Sequence, residues 1–299
     1  MWNFWQKENP SDANPTEFRI IGPRRSGKTT YLSALAYWPN AKSDSPIEKV
    51  IHLDDDTAKL VGMAKDILES NAMLRATYLD DDPDNLPSYN ISIKMKPTFG
   101  GGGQWIHVTC KDFAGELFDK LRKGKTAETE LYLEECADAL GLLILLDGTF
   151  FTEDDQYARG LETLKNQLKW RLKNKKKSLS DYRVAVVFNK AEQSQIWIHR
   201  HNIHKFMKLK FKKTYQLIEG WGKEWPCPVN YFFCSAFGMK PGITPDTPPK
   251  ANVQVISREN GVTSGVIEEA RVWRPLGLVA PIYWLHTGID HPKLRDVEE

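Results

Sequence analysis

Residues 20–30 read IIGPRRSGKTT, and this stretch decides the fold. A short predicted strand at 18–21 precedes Gly22, and residues 30–38 have helical character that stops at Pro39. The segment from Gly22 to Thr29 matches G-x-x-x-x-G-K-[ST] in full, between a predicted strand and a predicted helix. The glycines let the backbone N–H groups and the helix N-terminus face phosphate oxygens. The pattern therefore predicts a phosphate-binding loop.

Two side chains of this loop have specific chemistry. Lys28 neutralises the outer phosphates, and the Thr29 hydroxyl coordinates Mg²⁺. Arg25 either adds positive charge near the phosphates or stays solvated. The loop residues of the predicted nucleotide site are Gly22, Arg25, Ser26, Gly27, Lys28, Thr29 and Thr30.

A second motif lies at the end of a later predicted strand. Residues 106–115 read IHVTCKDFAG, a strand that ends in D-x-x-G. The carboxylate of Asp112 would lie beside the phosphate loop and hold the water shell of Mg²⁺, so Thr29 and Asp112 form the predicted metal site. The N–H of Gly115 would sense a terminal phosphate.

A third motif approximates N-K-x-D. Asn189, Lys190 and Glu192 follow an apolar run, and Ser235 and Ala236 follow the next one. Each piece is short, but the carboxyl ends of parallel strands meet at one edge of a sheet. The ordered set therefore predicts one composite nucleotide site.

The apolar runs at 141–146, 183–188 and 229–234 are typical of parallel strands covered on both faces. Residues 91–108 have the alternation of a hairpin, and helical spacing recurs at 57–68, 161–172, 195–218 and 276–285. These patterns predict an α/β, three-layer, P-loop fold whose mostly parallel sheet has one antiparallel hairpin strand. The predicted layout is an irregular lead-in at 1–15, one domain at 16–290 and a tail at 291–299. Within the domain we expect a helical insert at about 40–88 and a loop insert at about 240–265.

With these motifs the chain resembles P-loop GTPases of the translation-factor-related (TRAFAC) class over about residues 18–285. The motifs G-P-x-x-x-G-K-T-T-Y-L and D-F-A-G-E and the late segment 275–285 are most similar to those of prokaryotic double-GTPase-type domains. The resemblance implies that Asn189 contacts the guanine edge and that Lys190 packs its stem on the base. It implies that Glu192 accepts the imino and amino hydrogens, and that the N–H of Ala236 meets the keto oxygen.

The resemblance implies a GTP- and GDP-binding switch with Mg²⁺, in prokaryotic signalling or in conflict and defence. Two positions depart from the family pattern: Glu192 replaces an aspartate, and Glu116 stands where relatives have a water-orienting glutamine. We therefore expect slow hydrolysis, with Glu116 either catalytic or an exposed carboxylate at a helix start. Thr77 is the candidate switch threonine, because an acidic loop follows it.

Two other functions stay open from the residues. Leu142 to Leu146 followed by Asp147 also fits a P-loop ATPase with Asp147 as the magnesium-site acid. The chain could alternatively be an interaction module that a nucleotide stabilises and that does not turn it over.

Charge is segregated along the 299 residues. Their net charge is +2, yet residues 165–215 hold 15 Lys and Arg against Asp181 and Glu192, a local charge of +13. This segment needs internal acidic partners, for which Asp54 to Asp56 and Asp80 to Asp84 are candidates, or an outside partner. We favour an acidic effector or activating protein over nucleic acid, and we interpret His199, His201 and His204 as the polar face of a basic helix.

The sequence excludes two further classes. No apolar run reaches the roughly 20 residues of a membrane-spanning helix, and no secretory signal precedes the loop. Four cysteines without C-x-x-C spacing suit a reducing compartment, so we expect a cytoplasmic protein.

Overall fold

The computed structural model describes residues 16–37, 45–70, 88–97, 103–112, 115–123, 127–242, 244, 246–257 and 263–295. A seven-stranded central sheet organises them. Its strands are β1 (Thr16–Ile21), β2 (Ile47–His52), β3 (Ser88–Met95), β4 (Trp105–Asp112), β5 (Gly141–Asp147), β6 (Arg183–Asn189) and β7 (Val229–Phe233). The spatial order is β2-β3-β4-β1-β5-β6-β7. Strand β3 is antiparallel to both neighbours, and the other pairs are parallel, which confirms the predicted fold class.

Helices alternate with these strands along the chain. They are α1 (Lys28–Tyr37), α2 (Asp55–Ser70), α3 (Gly115–Lys123), α4 (Ala127–Asp138), α5 (Asp154–Asn174), α6 (Ser194–Trp197), α7 (Ile203–Lys210), α8 (Lys212–Glu224) and α9 (Ala280–Thr287). Two small antiparallel pairs complete the structure: β8 (Met239–Lys240) with β9 (Lys250–Ala251), and β10 (Val253–Ser257) with β11 (Thr263–Ile267).

The sheet is buried on both faces, which explains the unbroken apolar runs of its central strands. Along β5, Leu143 and Leu145 pack with residues of α1, α2 and α9. The alternate residues Leu142, Ile144 and Leu146 pack with residues of α3, α4, α5, α7 and α8. Side chains of successive strand residues point to opposite faces, so a strand with two covered faces has no polar position to spare. The result is the three-layer arrangement expected from the sequence.

Strand β2 lies within the segment for which the sequence predicted a helical insert. Ile47 pairs with Met95, but Lys49 pairs with Lys94, so the register shifts at Glu48. Such a bulge interrupts the period-two alternation by which a half-exposed strand is recognised. The helix expected at 57–68 is present as the interior of α2.

The prediction of one helix at 195–218 was wrong, because the segment contains α6, α7 and α8. Asn202 lies outside the helical region and its side chain accepts a hydrogen bond from the N–H of Lys205 at 2.9 Å, so it caps α7. Phe211, with φ of −128°, separates α7 from α8. The helix expected at 276–285 is also shorter, since Leu276 is extended and α9 begins at Ala280.

The acidic partners of the basic segment lie mainly on α4 and α8. The buried Arg171 guanidinium pairs with Glu130 and with Glu134, and Lys175 lies 2.7 Å from Glu134. Lys165 pairs with Glu224 at 2.7 Å. In the first half of the basic segment, Lys165, Arg171 and Lys175 are therefore paired within the fold.

The first of the two acidic runs proposed for this role has another place. Asp54 caps α2, because its Oδ1 accepts hydrogen bonds from the N–H and the hydroxyl of Thr57. Its Oδ2 accepts from the N–H of Asn90 at 3.0 Å. The second run, Asp80 to Asp84, lies outside the described residues. The predicted tail begins as part of the fold, because Leu294 is buried and Arg295 donates to the carbonyl of Tyr231 at 2.9 Å.

We predict that Lys177→Glu lowers the free energy of unfolding by about 1–2 kcal/mol. The Lys177 ammonium donates to the carbonyls of Ala137 and Asp138 at the end of α4, where a carboxylate would meet the negative end of the helix. Urea unfolding measures the change. The neighbouring Lys176→Glu is the matched control, because Lys176 is exposed and its change should cost little. Equal losses from both variants would contradict the capping role.

Candidate functional site

The loop between β1 and α1 curls tightly over the sheet edge. A Cβ on Gly22 would lie 2.1 Å from the carbonyl oxygen of Leu145, so no larger residue fits there. The N–H of Ser26 donates to the carbonyl of Pro23 at 3.3 Å, and Arg25 adopts a left-handed φ of 65°. The N–H of Tyr31 then donates to the carbonyl of Gly27 at 2.8 Å, which starts α1. This is the backbone shape that phosphate binding requires.

Lys28 is buried and lies over this loop. Its ammonium donates to the carbonyls of Gly22 at 2.9 Å and Pro23 at 3.1 Å. The predicted ligands Thr29 and Thr30 are half-buried in the first turn of α1. Arg25 is exposed at the tip of the loop, a position that agrees with its solvated interpretation. A buried cation at the loop supplies the charge that a phosphate group needs.

The end of β6 is bonded directly to the phosphate loop. The Asn189 side chain donates from Nδ2 to the carbonyl of Ser26 at 3.0 Å. A Cβ on Gly27, whose φ is +87°, would lie 2.5 Å from that same nitrogen. The structure thus brings two motifs together that are more than 160 residues apart in the chain.

Buried polar atoms point to a ligand at this junction. Within the part of the chain that the structure describes, Ser26 Oγ and Asn189 Oδ1 have no hydrogen-bond partner. Buried polar groups in folded proteins are nearly always satisfied, so unsatisfied ones require an explanation. A bound polar molecule would provide their partners.

Glu192 is a further buried acid at the same edge. Its carboxylate accepts hydrogen bonds from the side chains of Ser235 and Gln193, yet its Oε2 is buried without a partner among the described residues. Burial raises the pKa of Glu192, and these hydrogen bonds oppose that shift. A ligand that donates hydrogens to Oε2 would stabilise the charged form.

Lys190 and Asp147 form an ion pair beside Asn189. Lys190 adopts a left-handed φ of 64°, which directs the chain away from β6. The other oxygen of Asp147 accepts from the N–H and the hydroxyl of Thr149 at 2.9 and 2.6 Å. Because both oxygens of Asp147 are engaged within the protein, this geometry disfavours Asp147 as a magnesium ligand.

A C-terminal segment holds the loop after β7, a contact that sequence reasoning missed. Ser235 and Leu276 exchange two backbone hydrogen bonds of 3.0 and 2.8 Å. The indole of Trp273 donates to the carbonyl of Ala236 at 2.8 Å. Ser235 and Ala236 are buried, so the loop that carries them is fixed from both sides. The only signal in the sequence is a tryptophan, whose buried N–H needs an acceptor.

The predicted metal-site strand lies next to β1. In the parallel register Ile20 pairs with Asp112, so the last residue of β4 lies beside the start of the phosphate loop. Gly115 and Glu116 begin α3. The switch candidate Thr77 lies outside the described residues.

The three histidines of residues 199–204 are placed apart. His199 contacts the ring of Phe206, whereas His204 contacts Tyr215 and Tyr231. Across the described ranges, no group of three His, Cys, Asp or Glu side chains has the arrangement of a metal site. Those ranges also contain no helix with the length and apolar character needed to cross a bilayer.

No protein-family model and no curated protein matches the chain. Several solved structures share its general architecture at low similarity. An ADP ribosylation factor-like GTP-binding protein, the small COPII coat GTPase SAR1 from Encephalitozoon cuniculi in complex with GDP, is 12% identical with a TM-score of 0.38. That match covers 76% of this chain and 71% of the other.

Two further structures complete the comparison. The Arl6 (BBS3) small GTPase from Trypanosoma brucei, with bound GppNp, is 9% identical, covers 75% of this chain and 88% of its own, and has a TM-score of 0.39. The signal recognition particle receptor SRb-GTP/SRX complex from Chaetomium thermophilum is 12% identical, with coverages of 77% and 94% and a TM-score of 0.38. At these values the comparisons place the chain in no family.

We predict that Gly27→Ala destabilises the protein by about 2 kcal/mol, because the methyl group collides with Asn189 and alanine disfavours the left-handed φ. Urea unfolding tests this. Gly220→Ala is the matched control, since nothing lies within 4 Å of its added Cβ in α8. It should leave stability unchanged or raise it by up to about 1 kcal/mol. A neutral Gly27→Ala would show that the junction with Asn189 is loose.

Proposed function

We propose that the chain binds GTP and GDP with Mg²⁺ and acts as a nucleotide-dependent switch. The hydrogen bond from Asn189 to the carbonyl of Ser26 carries this proposal, because it joins the base-reading motif to the phosphate loop. The distance between a nucleotide base and its phosphates demands such a composite site.

Guanine is the base that suits these groups. Its edge presents an imino hydrogen and an amino group side by side, both of which are donors. The buried carboxylate of Glu192 is an acceptor with one oxygen still unsatisfied within the described structure. Adenine offers an acceptor where guanine has the imino hydrogen. The lone pair of this acceptor would repel the carboxylate of Glu192, whose charge would stay buried without a donor. The keto oxygen of guanine would accept from the N–H of Ala236.

Thr29 and Asp112 would hold Mg²⁺, since hydroxyl and carboxylate oxygens are its preferred ligands. The metal would neutralise charge on the phosphate groups when bound. Lys28 would exchange its carbonyl acceptors, Gly22 and Pro23, for phosphate oxygens. Because these carbonyls belong to the loop, we expect the loop to rearrange on binding. Ser26 Oγ would gain a partner.

Slow hydrolysis is the turnover we propose. A carboxylate at Glu116 can orient water, but it also adds negative charge near the reacting phosphate. Gly115 and Glu116 begin α3, directly after the segment that follows Asp112. The alternative, a module that binds without turnover, shares the same binding site. The ATPase alternative is disfavoured by the contacts that engage both oxygens of Asp147.

The cellular role follows only from the resemblance to prokaryotic double-GTPase-type domains. It supports a cytoplasmic switch in signalling or in conflict and defence. An effector or activating protein is part of this proposal, because a switch needs a partner that reads its state.

We expect the wild type to bind GTP and GDP at least tenfold more tightly than ATP and ADP in a calorimetric titration with Mg²⁺. Glu192→Gln should weaken GDP by about 10- to 100-fold and leave ATP nearly unchanged, since the amide offers only one acceptor to two donors. Preference of the wild type for ATP would overturn the proposal. Loss of Mg-ATP binding in Asp147→Asn would then favour the ATPase.

The pH dependence of the same titration is an internal control. GDP stabilises the Glu192 carboxylate, whereas burial raises the pKa of this group in the free protein. Affinity for GDP should therefore increase as pH rises through that raised pKa, with release of a proton on binding. Glu192→Gln should remove the slope. A slope that persists in this variant would belong to another group.

Asp112→Asn should reduce single-turnover hydrolysis of GTP by at least tenfold, because the carboxylate organises Mg²⁺ around the transferring phosphoryl group. Phosphate release under saturating GTP measures it. GDP affinity in the absence of Mg²⁺ is the control and should change little. Tight GTP binding without any phosphate release in the wild type would identify the chain as a binding module.

A further inference from the structure

The second half of the basic segment forms an exposed cationic face. Lys205, Lys208 and Leu209 lie at i, i+3 and i+4 along α7, and Lys212 is the first residue of α8, directly after the break at Phe211. All four side chains are exposed. We call these four residues the α7 face.

The lysines of this face are not neutralised by ion pairs. Residues 193–218 contain no aspartate or glutamate. Among the described residues, none of the three lysines forms an ion pair, although Lys208 lies 5.7 Å from the ring of Tyr215. The adjacent Lys213 does pair, with Asp155 at 2.7 Å. The α7 face therefore differs from the α4 side, where Arg171 and Lys175 pair with acids.

Apolar side chains are exposed at the same place. Leu209 is 61% exposed in the centre of the α7 face, and Ile198, in the turn before α7, is 69% exposed. The helix itself is held firmly from behind, because Phe206, Met207 and Phe211 are completely buried. The face thus combines exposed lysines with an exposed aliphatic side chain on a helix that is anchored from behind.

We propose that the α7 face docks onto the surface of an anionic lipid membrane. Clusters of basic residues attract acidic headgroups, while flexible lysine stems let a central aliphatic side chain enter the interface. A membrane surface needs only basic and aliphatic side chains to bind, and these are the side chains that the face presents. This inference does not depend on the proposed nucleotide specificity.

Other anionic partners fit the face less well. Protein interfaces are depleted of lysine and rely on aromatic and arginine anchors, whereas the α7 face has neither. Single-stranded nucleic acid is bound by exposed aromatic rings on which bases stack. The nearest arginine, Arg200, is engaged with the ring and carbonyl of Trp197. The sequence-based preference for an acidic protein partner therefore gives way to a lipid surface.

Co-sedimentation of the full chain with vesicles tests the proposal. One set contains phosphatidylcholine alone, and the other contains phosphatidylcholine with phosphatidylserine at about 30%. We expect binding to the anionic vesicles only, at low salt, and at least a tenfold loss when the ionic strength rises from about 0.05 to 0.5 M.

The triple variant Lys205→Glu/Lys208→Glu/Lys212→Glu should weaken vesicle binding by at least about a hundredfold, because each lysine contributes about a fivefold factor and charge reversal adds repulsion. Leu209→Ala should weaken it severalfold without changing the salt dependence. The matched control is Lys223→Glu/Lys250→Glu/Lys293→Glu, which makes the same change in net charge at exposed lysines on other elements. Circular dichroism and thermal unfolding verify that all variants fold.

Three outcomes would overturn the proposal. The first is no binding of the wild type to anionic vesicles at low salt. The second is equal loss in the control triple variant, which would show attraction by net charge alone. The third is tighter binding of a 30-nucleotide single strand than of the vesicles, lost in the α7 triple variant, which would identify the face as a nucleic-acid surface.

Discussion

The close approach of Gly27 to Asn189 is the constraint on which the site depends. The Ser26 carbonyl can accept the hydrogen bond from Asn189 Nδ2 at the end of β6 only because Gly27 has no Cβ to intervene. This approach requires β1 and β6 to be parallel and to end at the same edge, with β5 between them. The apolar core on both faces of β5 keeps that spacing. The geometry of the site therefore depends on the packing of the core, since a shift of one strand would separate the two loops.

The parts of the fold that the sequence predicts correctly are those whose information is local. The phosphate loop needs two glycines, a lysine and a hydroxyl within eight residues, and its flanking strand and helix are equally local. Strands β5 and β6 can be recognised in the sequence, because burial on both faces leaves an unbroken apolar run. Asn189 follows such a run directly, so its position at the sheet edge could be predicted as well. Its roles toward base and phosphate stay predictions.

The features that the sequence does not reveal depend on partners far along the chain. The bulge at Glu48 hides β2, because alternation is the signal of an edge strand and the bulge removes it. The helix break at Asn202 had a cue, an asparagine three residues before the bonded N–H, but helical spacing of apolar residues continues across it. The hydrogen bond from the Trp273 indole to the carbonyl of Ala236 has no local signature beyond the tryptophan itself. Long-range contacts of this kind become visible only when the fold is known.

The basic segment shows the same difference between what is local in the sequence and what depends on long-range contacts. A count of +13 treats residues 165–215 as uniform, but the fold divides them into two halves. The half on α5 meets the acids of α4 and becomes part of the structure, as Arg171 does with Glu130 and Glu134. In the other half, Lys213 pairs with Asp155, whereas the three lysines of the α7 face form no ion pair with a described acid and stay exposed. Which lysines are structural is thus decided by where α4 lies.

The position of the free half relative to the site is also set by the chain. Only Gln193 separates the buried Glu192 from α6, and Ile196 of α6 packs so closely that a Cβ on Gly148 would lie 2.6 Å from it. Gly148 in turn follows Asp147, which pairs with Lys190. The segment 189–198 therefore runs from the candidate nucleotide site, through α6, to the turn that precedes the α7 face. Under the two proposals, a bound base and a membrane surface would contact the two ends of one short, continuous stretch of chain.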